Sequence, residues 1–417
     1  MSIFKTKQFL PTFNLFLIFV GYQLATSLFL PDFATYEGTD EGTTLSRYVT
    51  VPYRIFALAI SMIVLIQNRR NKTKMNLPIK LFFIFWGLLI LRIFYDLYIR
   101  ADLNISAERA RETIIYVFLV CLIPALSVYK SLAFIDLKKA FNYIFFGYAI
   151  LVPIFYYNNP MLFSTESADY RMSGNIAMNT IAFGHCGVTL ALLAFYWGRI
   201  VNRRWKKVLS YFFLIVGVFV MLRAGSRGPL VALFACFVFY YIARQKTSAG
   251  VTLIGISFIV LLYISGDAVF DTIRMISPML ASRLTLSGTS TEYEDFSNGR
   301  SSLYDEAIAR FYDSPFWGES FAIFNDNGTY IYSHNMVLDA FMALGLLGGL
   351  IFILMLSCAV INSRYMILSK FRSWWIALVC IQYLIYNMLS GAFYQSGLLN
   401  ALLIITLCFA YKKQHNS

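Results

Sequence analysis

Hydrophobic residues occur along the chain in long, recurrent runs that are separated by shorter polar segments. Each run is long enough to cross a bilayer core of roughly 30 Å as a helix. The twelve runs lie at about 12–30, 49–67, 80–98, 113–130, 140–157, 176–198, 208–223, 229–243, 251–265, 335–358, 373–390 and 397–411. The pattern therefore predicts an all-α, polytopic membrane protein with about twelve transmembrane helices, which form a single integral membrane domain over residues 1–417.

Composition agrees with a membrane protein and argues against metal or disulfide chemistry. The chain is 59% hydrophobic and 14% charged, with a mean hydropathy of +0.63. All six cysteines fall in predicted spans, so neither a disulfide framework nor a Cys/His metal spacing is present. The acidic segments "EYED" (292–295) and "NDN" (325–327) have no such residues beside them. We expect no metal and no cofactor.

Basic residues indicate the orientation of the spans. With a cytoplasmic N-terminus, the inner side carries 22 of the 35 lysines and arginines, the outer side carries eleven, and Arg54 and Arg92 lie within spans. This excess fits the positive-inside rule and places both termini in the cytoplasm. All 14 lysines are on the inner side, so every outer basic residue is an arginine, the residue that binds phosphate bidentately. Most of the +13 net charge follows from this topology, and we expect no nucleic-acid partner.

Residues 266–333 form a long predicted outer loop between the ninth and tenth spans. The sequence "GRSSLYDEAIARFYDSPFWG" within it has a helical apolar stripe, which consists of Leu303, Tyr304, Ala307, Ile308 and Phe311. Ser302 followed by Asp305 resembles a capping signal, and Pro315 and Gly318 end the pattern. We therefore predict a short amphipathic helix in a periplasmic loop, lying at the membrane interface with its aromatic face down.

Three outer residues are predicted to lie beside helix N-termini. Arg227 precedes Pro229, which suits a first helical position; Arg300 precedes the loop helix; and His334 begins the tenth span, with Ser333 as its cap. Such positions favour bound phosphate and a neutral imidazole. Singly, the arginines could be interfacial anchors and the histidine a hydrogen-bonded structural residue. Together they indicate an anion site with a general base.

Three longer segments occur in order around the large loop: "AGSRGPLVAL", "GRSSLYDEAIARFYDSPFWGES" and "SHNMVLDAFMALGLLGGLIFI". With them the chain resembles the O-antigen polymerase/ligase family of bacterial inner membranes over about residues 220–355. The segment "YRMSGNIAMNTIAFG" (170–184) resembles a further outer arginine segment of that family. The resemblance implies a GT-C-like membrane glycosyltransferase of lipopolysaccharide biosynthesis, whose active site faces the periplasm and whose donor is a glycan linked to polyprenyl pyrophosphate.

Carried over by position, the resemblance implies roles for individual residues. Arg227 and Arg300 would hold the pyrophosphate as it leaves, and His334 would activate the acceptor hydroxyl. The candidate substrate-binding residues are Arg171, Ser226, Tyr304 and Asn335 within the matching segments and Arg223 immediately before "AGSRGPLVAL". The implied partners are lipid-linked donor and acceptor oligosaccharides and membrane lipid, with a chain-length regulator as a further candidate.

Three functions remain open at this point. A polymerase adds the glycan to the next lipid-linked repeat unit, whereas a ligase adds it to lipid A–core; the Ser-His-Asn start and the compact loop favour the polymerase by analogy. A lipid-linked oligosaccharide flippase should carry ionisable residues within several spans. Here they are limited to Arg54 and the pair Arg92 and Asp96, which lie one turn apart and can neutralise each other. The polymerase therefore leads.

Overall fold

Helices make up most of the fold in the computed structural model, which describes residues 2–30, 40–71, 73, 75–158, 177–245, 271–284, 300–325, 328–369 and 371–409. The α-helices are α1 (Ser2–Phe16), α2 (Tyr22–Phe29), α3 (Asp40–Gln67), α4 (Leu77–Tyr98), α5 (Ala107–Ile115), α6 (Ile123–Ser131), α7 (Leu137–Asn158), α8 (Thr180–Ile200), α9 (Arg204–Arg223), α10 (Arg227–Arg244), α11 (Pro278–Leu284), α12 (Ser301–Asp313), α13 (Met336–Leu368), α14 (Trp375–Ser390) and α15 (Gly397–Leu407). Shorter elements are the π-helices Leu17–Gly21 and Tyr116–Leu122, the 3-10 turns Ala101–Leu103, Leu132–Phe134 and Phe393–Gln395, and the antiparallel strands β1 (Ile323–Phe324) and β2 (Tyr330–Ile331). The all-α prediction is confirmed.

The described helices agree with the predicted spans. Nine helical segments in the described ranges are long and apolar enough to cross a membrane, and each coincides with a predicted span. Two further predicted spans correspond to the shorter apolar helices α14 and α15. The remaining predicted span, 251–265, lies outside the described residues. The polytopic membrane architecture is therefore confirmed.

The chain folds into two compact units. Unit 1 consists of residues 1–60, 134–287 and 364–382, and unit 2 consists of residues 61–133, 288–363 and 383–417. In unit 1, Gly187 of α8 faces Gly217 of α9, and a Cβ atom at either position would overlap the backbone of the other helix. Small residues allow transmembrane helices to approach this closely. The pairing fixes α9, the helix that leads into the turn before Arg227.

In unit 2, predicted inner and outer segments meet at opposite ends of α4. At its start, Asn76 donates a hydrogen bond to the carbonyl oxygen of Leu407, 2.8 Å away, and both lie in or beside predicted inner segments. Beyond its end, Arg100 forms an ion pair of 2.7 Å with Glu319 of the predicted outer loop. Both contacts are consistent with the prediction that the two ends of α4 lie on opposite sides of the membrane. The assignment of one end to the periplasm stays a prediction.

The amphipathic helix of the large loop is present as α12. It ends at Asp313, shortly before Pro315, as the pattern predicted. Ser302 is not its cap, and that prediction was wrong. The N-cap is Arg300, whose backbone is already right-handed (φ −86°, ψ −13°) and whose side chain makes no capping hydrogen bond. The helix therefore begins at Ser301, before a hydroxyl at position 302 could cap it.

The apolar stripe of α12 packs against the protein. Ala307 is 1% exposed and packs with Ile323 and Met342, and the ring centroids of Phe311 and Phe341 lie 5.7 Å apart. The first turns of α13 offer an apolar surface that Ala307 and Phe311 cover. Ile308 of the same stripe is 40% exposed, and the predicted position of the helix at the membrane interface stays a prediction. This contact brings the loop helix onto the helix that follows His334.

A break in α13 attaches the loop more firmly. Gly345 has φ +61°, a left-handed conformation inside the helix, and a side chain there would overlap the loop backbone. Across the break, the Leu346 N–H donates to the Pro315 carbonyl oxygen at 2.7 Å, and the Glu319 N–H donates to the Met342 carbonyl oxygen at 2.8 Å. The loop thus satisfies backbone groups that the kink releases.

The predicted ion pair of the third span also holds the loop. Arg92 lies 3.0 Å from Asp96, so the prediction that these charges neutralise each other is confirmed. In addition, Arg92 donates to the carbonyl oxygen of Gly318 at 3.1 Å, and the Asp96 carboxylate accepts the N–H of Phe321 at 2.7 Å. The pair therefore fastens the loop to α4, a role that the sequence did not reveal.

Candidate functional site

The backbone before α13 places His334 at the mouth of that helix. The helix begins at Met336, and the side-chain oxygen of Asn335 caps it by accepting two N–H groups of the first turn at 3.0 and 3.3 Å. Ser333 was the wrong prediction for the cap, because its hydroxyl bonds the backbone of Asn335 instead. His334 itself is left-handed, with φ +63°. Such a conformation costs on the order of 1–3 kcal/mol and is found preferentially at functional sites.

Arg300 and His334 converge on the end of α14. The Arg300 guanidinium donates to the carbonyl oxygen of Leu389 and, at 3.2 Å, to the hydroxyl of Ser390. The imidazole of His334 forms a hydrogen bond with the backbone of Ser390. A cation at a helix C-terminus is stabilised by the helix dipole, so Arg300 also has an anchoring role. Among the described residues these contacts use two of the five N–H groups of Arg300, and the guanidinium can bind an anion as well.

The surroundings of His334 favour the neutral ring. Burial, and then the positive charge of Arg300, lower the pKa of His334 below its ordinary value of 6.5, against the opposing effect of the bond to Ser390. The Nδ1 atom is buried, and no residue in the described ranges hydrogen-bonds it. A neutral imidazole whose other nitrogen is engaged can accept a proton at this lone pair. The neutral ring agrees with the prediction, although burial and Arg300 cause it rather than the helix dipole alone.

Three residues of this region were missed by sequence reasoning: one contacts the His334 ring, one contacts Ser333, and one interacts electrostatically with the other two. Asp339 is 5% exposed, and its carboxylate accepts the N–H of Ser333 at 2.9 Å. The Tyr332 ring lies edge-on to His334, with centroids 4.5 Å apart. Burial, followed by the charge of Asp339, raises the pKa of Tyr394 well above its ordinary value, so that its hydroxyl stays protonated. A lone carboxylate near the start of an apolar span was a usable signal for Asp339.

The turn before α10 belongs to unit 1. Arg227 is the first residue of α10 and Ser226 is its N-cap, so Arg227 lies at a helix N-terminus, as predicted. Pro229 is the third helical residue, and its predicted first position was wrong. Gly225, with φ +59°, closes the turn early enough for the helix to start at Arg227. Arg227 therefore lies at the positive end of the α10 dipole.

The remaining predicted substrate-binding residues have differing surroundings. Arg223 is 3% exposed at the end of α9 and donates to the carbonyl oxygen of Ile276 at 3.3 Å. Tyr304 is half-buried on the stripe of α12, and Asn335 uses its side-chain oxygen as the cap of α13. Arg171 lies outside the described residues. Their roles in substrate binding stay predictions.

Acidic residues give no cluster for a metal in the part of the chain that the structure covers. There, no three His, Cys, Asp or Glu side chains lie together so that they could hold an ion. Of the acidic segments considered above, 292–295 lies outside the described residues, and Asn325 alone is described from 325–327. The expectation of metal-independent chemistry stays a prediction.

Comparison with known proteins bears on the same segment. A family model described as O-antigen ligase matches residues 212–353. This range includes Arg227, Arg300 and His334 together with the loop that joins the last two. No curated protein matches the chain, and no solved structure matches it. The family match therefore confirms, over this segment, the resemblance to the O-antigen polymerase/ligase family.

Proposed function

We propose that this protein is a surface polysaccharide polymerase of the O-antigen type. It transfers a glycan from polyprenyl pyrophosphate to a sugar hydroxyl of another lipid-linked repeat unit, at the periplasmic face of the bacterial inner membrane. The observation that carries the proposal is the meeting of a cation, Arg300, and an imidazole with a lowered pKa, His334, at Ser390. The family match to residues 212–353 supports the class of reaction.

In the proposed reaction, the acceptor hydroxyl attacks the anomeric carbon of the donor. Its proton passes to Nδ1 of His334, the bond from the anomeric carbon to the phosphate oxygen breaks, and the pyrophosphate leaves with the electron pair. Arg300 stabilises the charge that develops on the leaving group, a contact of about 2–4 kcal/mol in the barrier. The base contributes about 10²–10⁴-fold in rate.

Arg227 is proposed as a second ligand of the pyrophosphate. It is the first residue of α10, where the positive end of the helix dipole favours an anion. Within unit 1 this local arrangement and the resemblance support the role. Arg171 is proposed as a further anion contact on the resemblance alone.

Deletion of the gene in its host, followed by gel separation of the surface polysaccharide, tests the proposal. Lipid A–core that carries a single repeat is the expected result. Repeats that remain trapped on the inner side would indicate a flippase and refute glycan transfer. Complementation with wild-type protein, and with His334→Ala at equal abundance, then connects the phenotype to the proposed base.

Ligation to lipid A–core is the second candidate, because the matched family model is described as O-antigen ligase. The donor and the leaving group are the same in both reactions, so Arg300 and His334 keep their roles. Only the acceptor differs. In the deletion strain, bare core together with long chains on the carrier lipid would favour the ligase.

A further inference from the structure

A cavity of about 380 Å³ lies in unit 2, and Tyr394 is one of the residues that line it. This volume is within the range of roughly 300–1,000 Å³ that small-molecule sites occupy. Tyrosine rings and polar side chains line it: Arg109, Glu112, Tyr116, Tyr330, Tyr394 and Gln395. The proposed transfer step makes no use of Arg109, Glu112 or Gln395.

One wall of the cavity is an irregular helix. Downstream of α5 the chain continues as a π-helix over Tyr116–Leu122, and both Tyr116 and Val117 line the cavity. π-Helical segments are rare and frequently occur at functional sites. Behind this wall, Gly397 lies so close to the carbonyl oxygen of Val120 that a side chain would overlap it. Packing therefore holds the widened turn in place.

The charges on the cavity wall are balanced. Arg109 donates to the carbonyl oxygen of Gly328 at 3.3 Å, and its guanidinium lies 6.0 Å from the ring centroid of Tyr330. Glu112 is three residues further along α5 and is exposed. A phosphate site would carry an excess of positive charge, and a site for a lipid chain would lack the polar groups. A sugar ring fits a wall that combines polar side chains with tyrosine rings. Its hydroxyls form hydrogen bonds with hydrogen-bond donors and acceptors, and its C–H face packs on an aromatic ring.

Tyr394 connects the cavity to the surroundings of His334. It is 3% exposed, and its hydroxyl has no hydrogen-bond partner among the described residues. A buried hydroxyl of this kind is unfavourable unless a ligand or water bonds it. Tyr394 also interacts electrostatically with Asp339, whose carboxylate holds the N–H of Ser333 next to His334. A ligand in the cavity would therefore contact Tyr394, which interacts with the carboxylate that holds the residue before His334.

We propose that this cavity binds a sugar ring of the acceptor glycan. The inference rests on the proposed function and specifies the acceptor side of the same site. Glu112 and Gln395 bond the ring hydroxyls, the tyrosines cover its apolar face, and the Tyr394 hydroxyl donates a hydrogen bond to it. The donor is the less suitable occupant, because the balanced walls provide no net positive charge for its pyrophosphate.

Equilibrium binding of free oligosaccharide to the purified full-length protein tests the inference without requiring turnover. The probes are the repeat-unit oligosaccharide and the core oligosaccharide, each released by mild acid from lipopolysaccharide of the host and measured by calorimetry. Glu112→Gln and Gln395→Ala should each weaken binding about tenfold, the effect of losing one hydrogen bond of about 1.4 kcal/mol. The matched control Glu108→Gln changes an exposed carboxylate of α5 that does not line the cavity, and it should leave the affinity unchanged.

Failure of both probes to bind overturns the inference, and so does equal binding by wild type, Glu112→Gln and Gln395→Ala. The transfer reaction survives either result, since the deletion phenotype tests it separately. Weakened binding in both variants supports the cavity even if the deletion phenotype refutes glycan transfer. The probe that binds also identifies the acceptor: the repeat unit supports polymerisation, and the core supports ligation.

Discussion

Replacement of His334 by asparagine separates a general base from a structural residue. Asparagine tolerates the left-handed backbone at this position, where φ is +63°, so the backbone strain changes little. The substitution removes a ring whose centroid lies 4.5 Å from that of Tyr332 and which bonds the backbone of Ser390. Such a ring contact and such a hydrogen bond contribute about 0.5–1.5 kcal/mol each. We therefore expect the free energy of unfolding to fall by at most about 3 kcal/mol.

The expected loss of turnover is of a different kind. Removal of a base lowers the rate by about 10²–10⁴-fold, equivalent to about 3–5 kcal/mol in the barrier. The assay uses purified protein and a lipid-linked donor, and it measures donor binding and the single-turnover rate per folded molecule, with a chelator control. Tyr332→Leu, which loses the ring contact but keeps the imidazole, should lose stability with a much smaller loss of rate. Turnover of His334→Asn within a few-fold of wild type would refute the base, and chelator sensitivity would revive a metal.

The pH dependence of the wild-type rate checks the same assignment. Burial and Arg300 lower the pKa of His334 below 6.5, and the neutral ring is the reactive form. The rate should therefore stay constant above pH 6.5 and fall only at lower pH, as the imidazole becomes protonated. Because Arg300 is one cause of the lowered pKa, Arg300→Gln should move the acid limb of its residual activity to higher pH. A wild-type rate that already falls on going from pH 8 to pH 7 contradicts the assignment.

Four further outcomes are expected. Arg227→Lys and Arg300→Lys should each impair chain elongation almost as much as substitution by alanine, because lysine keeps the charge but loses the bidentate guanidinium group. Normal chain length at normal protein abundance would instead show that both arginines are interfacial anchors. Gly345→Ala should lower the melting temperature, because φ is +61° and the added Cβ atom would overlap the loop. Gly87→Ala should leave the melting temperature unchanged, because a Cβ atom at that position has no other atom within 4 Å. Glu319→Gln should lower the free energy of local unfolding of the loop by about 1.5–3 kcal/mol, because Glu319 pairs with both Arg100 and Arg310. Glu306→Gln, which changes a more exposed carboxylate, should lower it far less. Limited proteolysis measures both effects. Cysteine introduced at Asp305 should react with an impermeant reagent from the periplasm, and cysteine at Lys206 should react only after the inner membrane is opened.

The helices could be predicted from sequence because length and apolarity decide whether a segment can satisfy its backbone within a membrane. The helix starts were harder. Ser302 and Ser333 each lie two residues from the true N-caps, Arg300 and Asn335. Serine is a good cap in isolation, but the hydroxyl of Ser333 is engaged by the backbone of Asn335. The break at Gly345 gave no signal of its own, because the run "GLLGG" holds three glycines and only tertiary contact with the loop distinguishes the first.

Part of the candidate site could also be predicted. Arg300 and His334 each adjoin a helix start, which is a local feature of the sequence. Their common neighbour Ser390 and the buried Tyr394 come from a distant part of the chain, and packing alone brings them close. The lowered pKa of His334 likewise depends on burial and on Arg300, neither of which a helical pattern can provide.

The attachment of the loop explains how a long segment can position two reacting groups. Residues 300–334 begin at Arg300 and end at His334, and between them the chain is fastened to α4 and to the break in α13. The break lies about three turns into the helix that His334 precedes, so one helix carries both the fastening point and the imidazole. A shift of the loop by one helical turn, about 5.4 Å, would separate the Arg300 guanidinium from the Ser390 hydroxyl, which now lie 3.2 Å apart. Substitutions at the break should therefore alter the site without touching either reacting group.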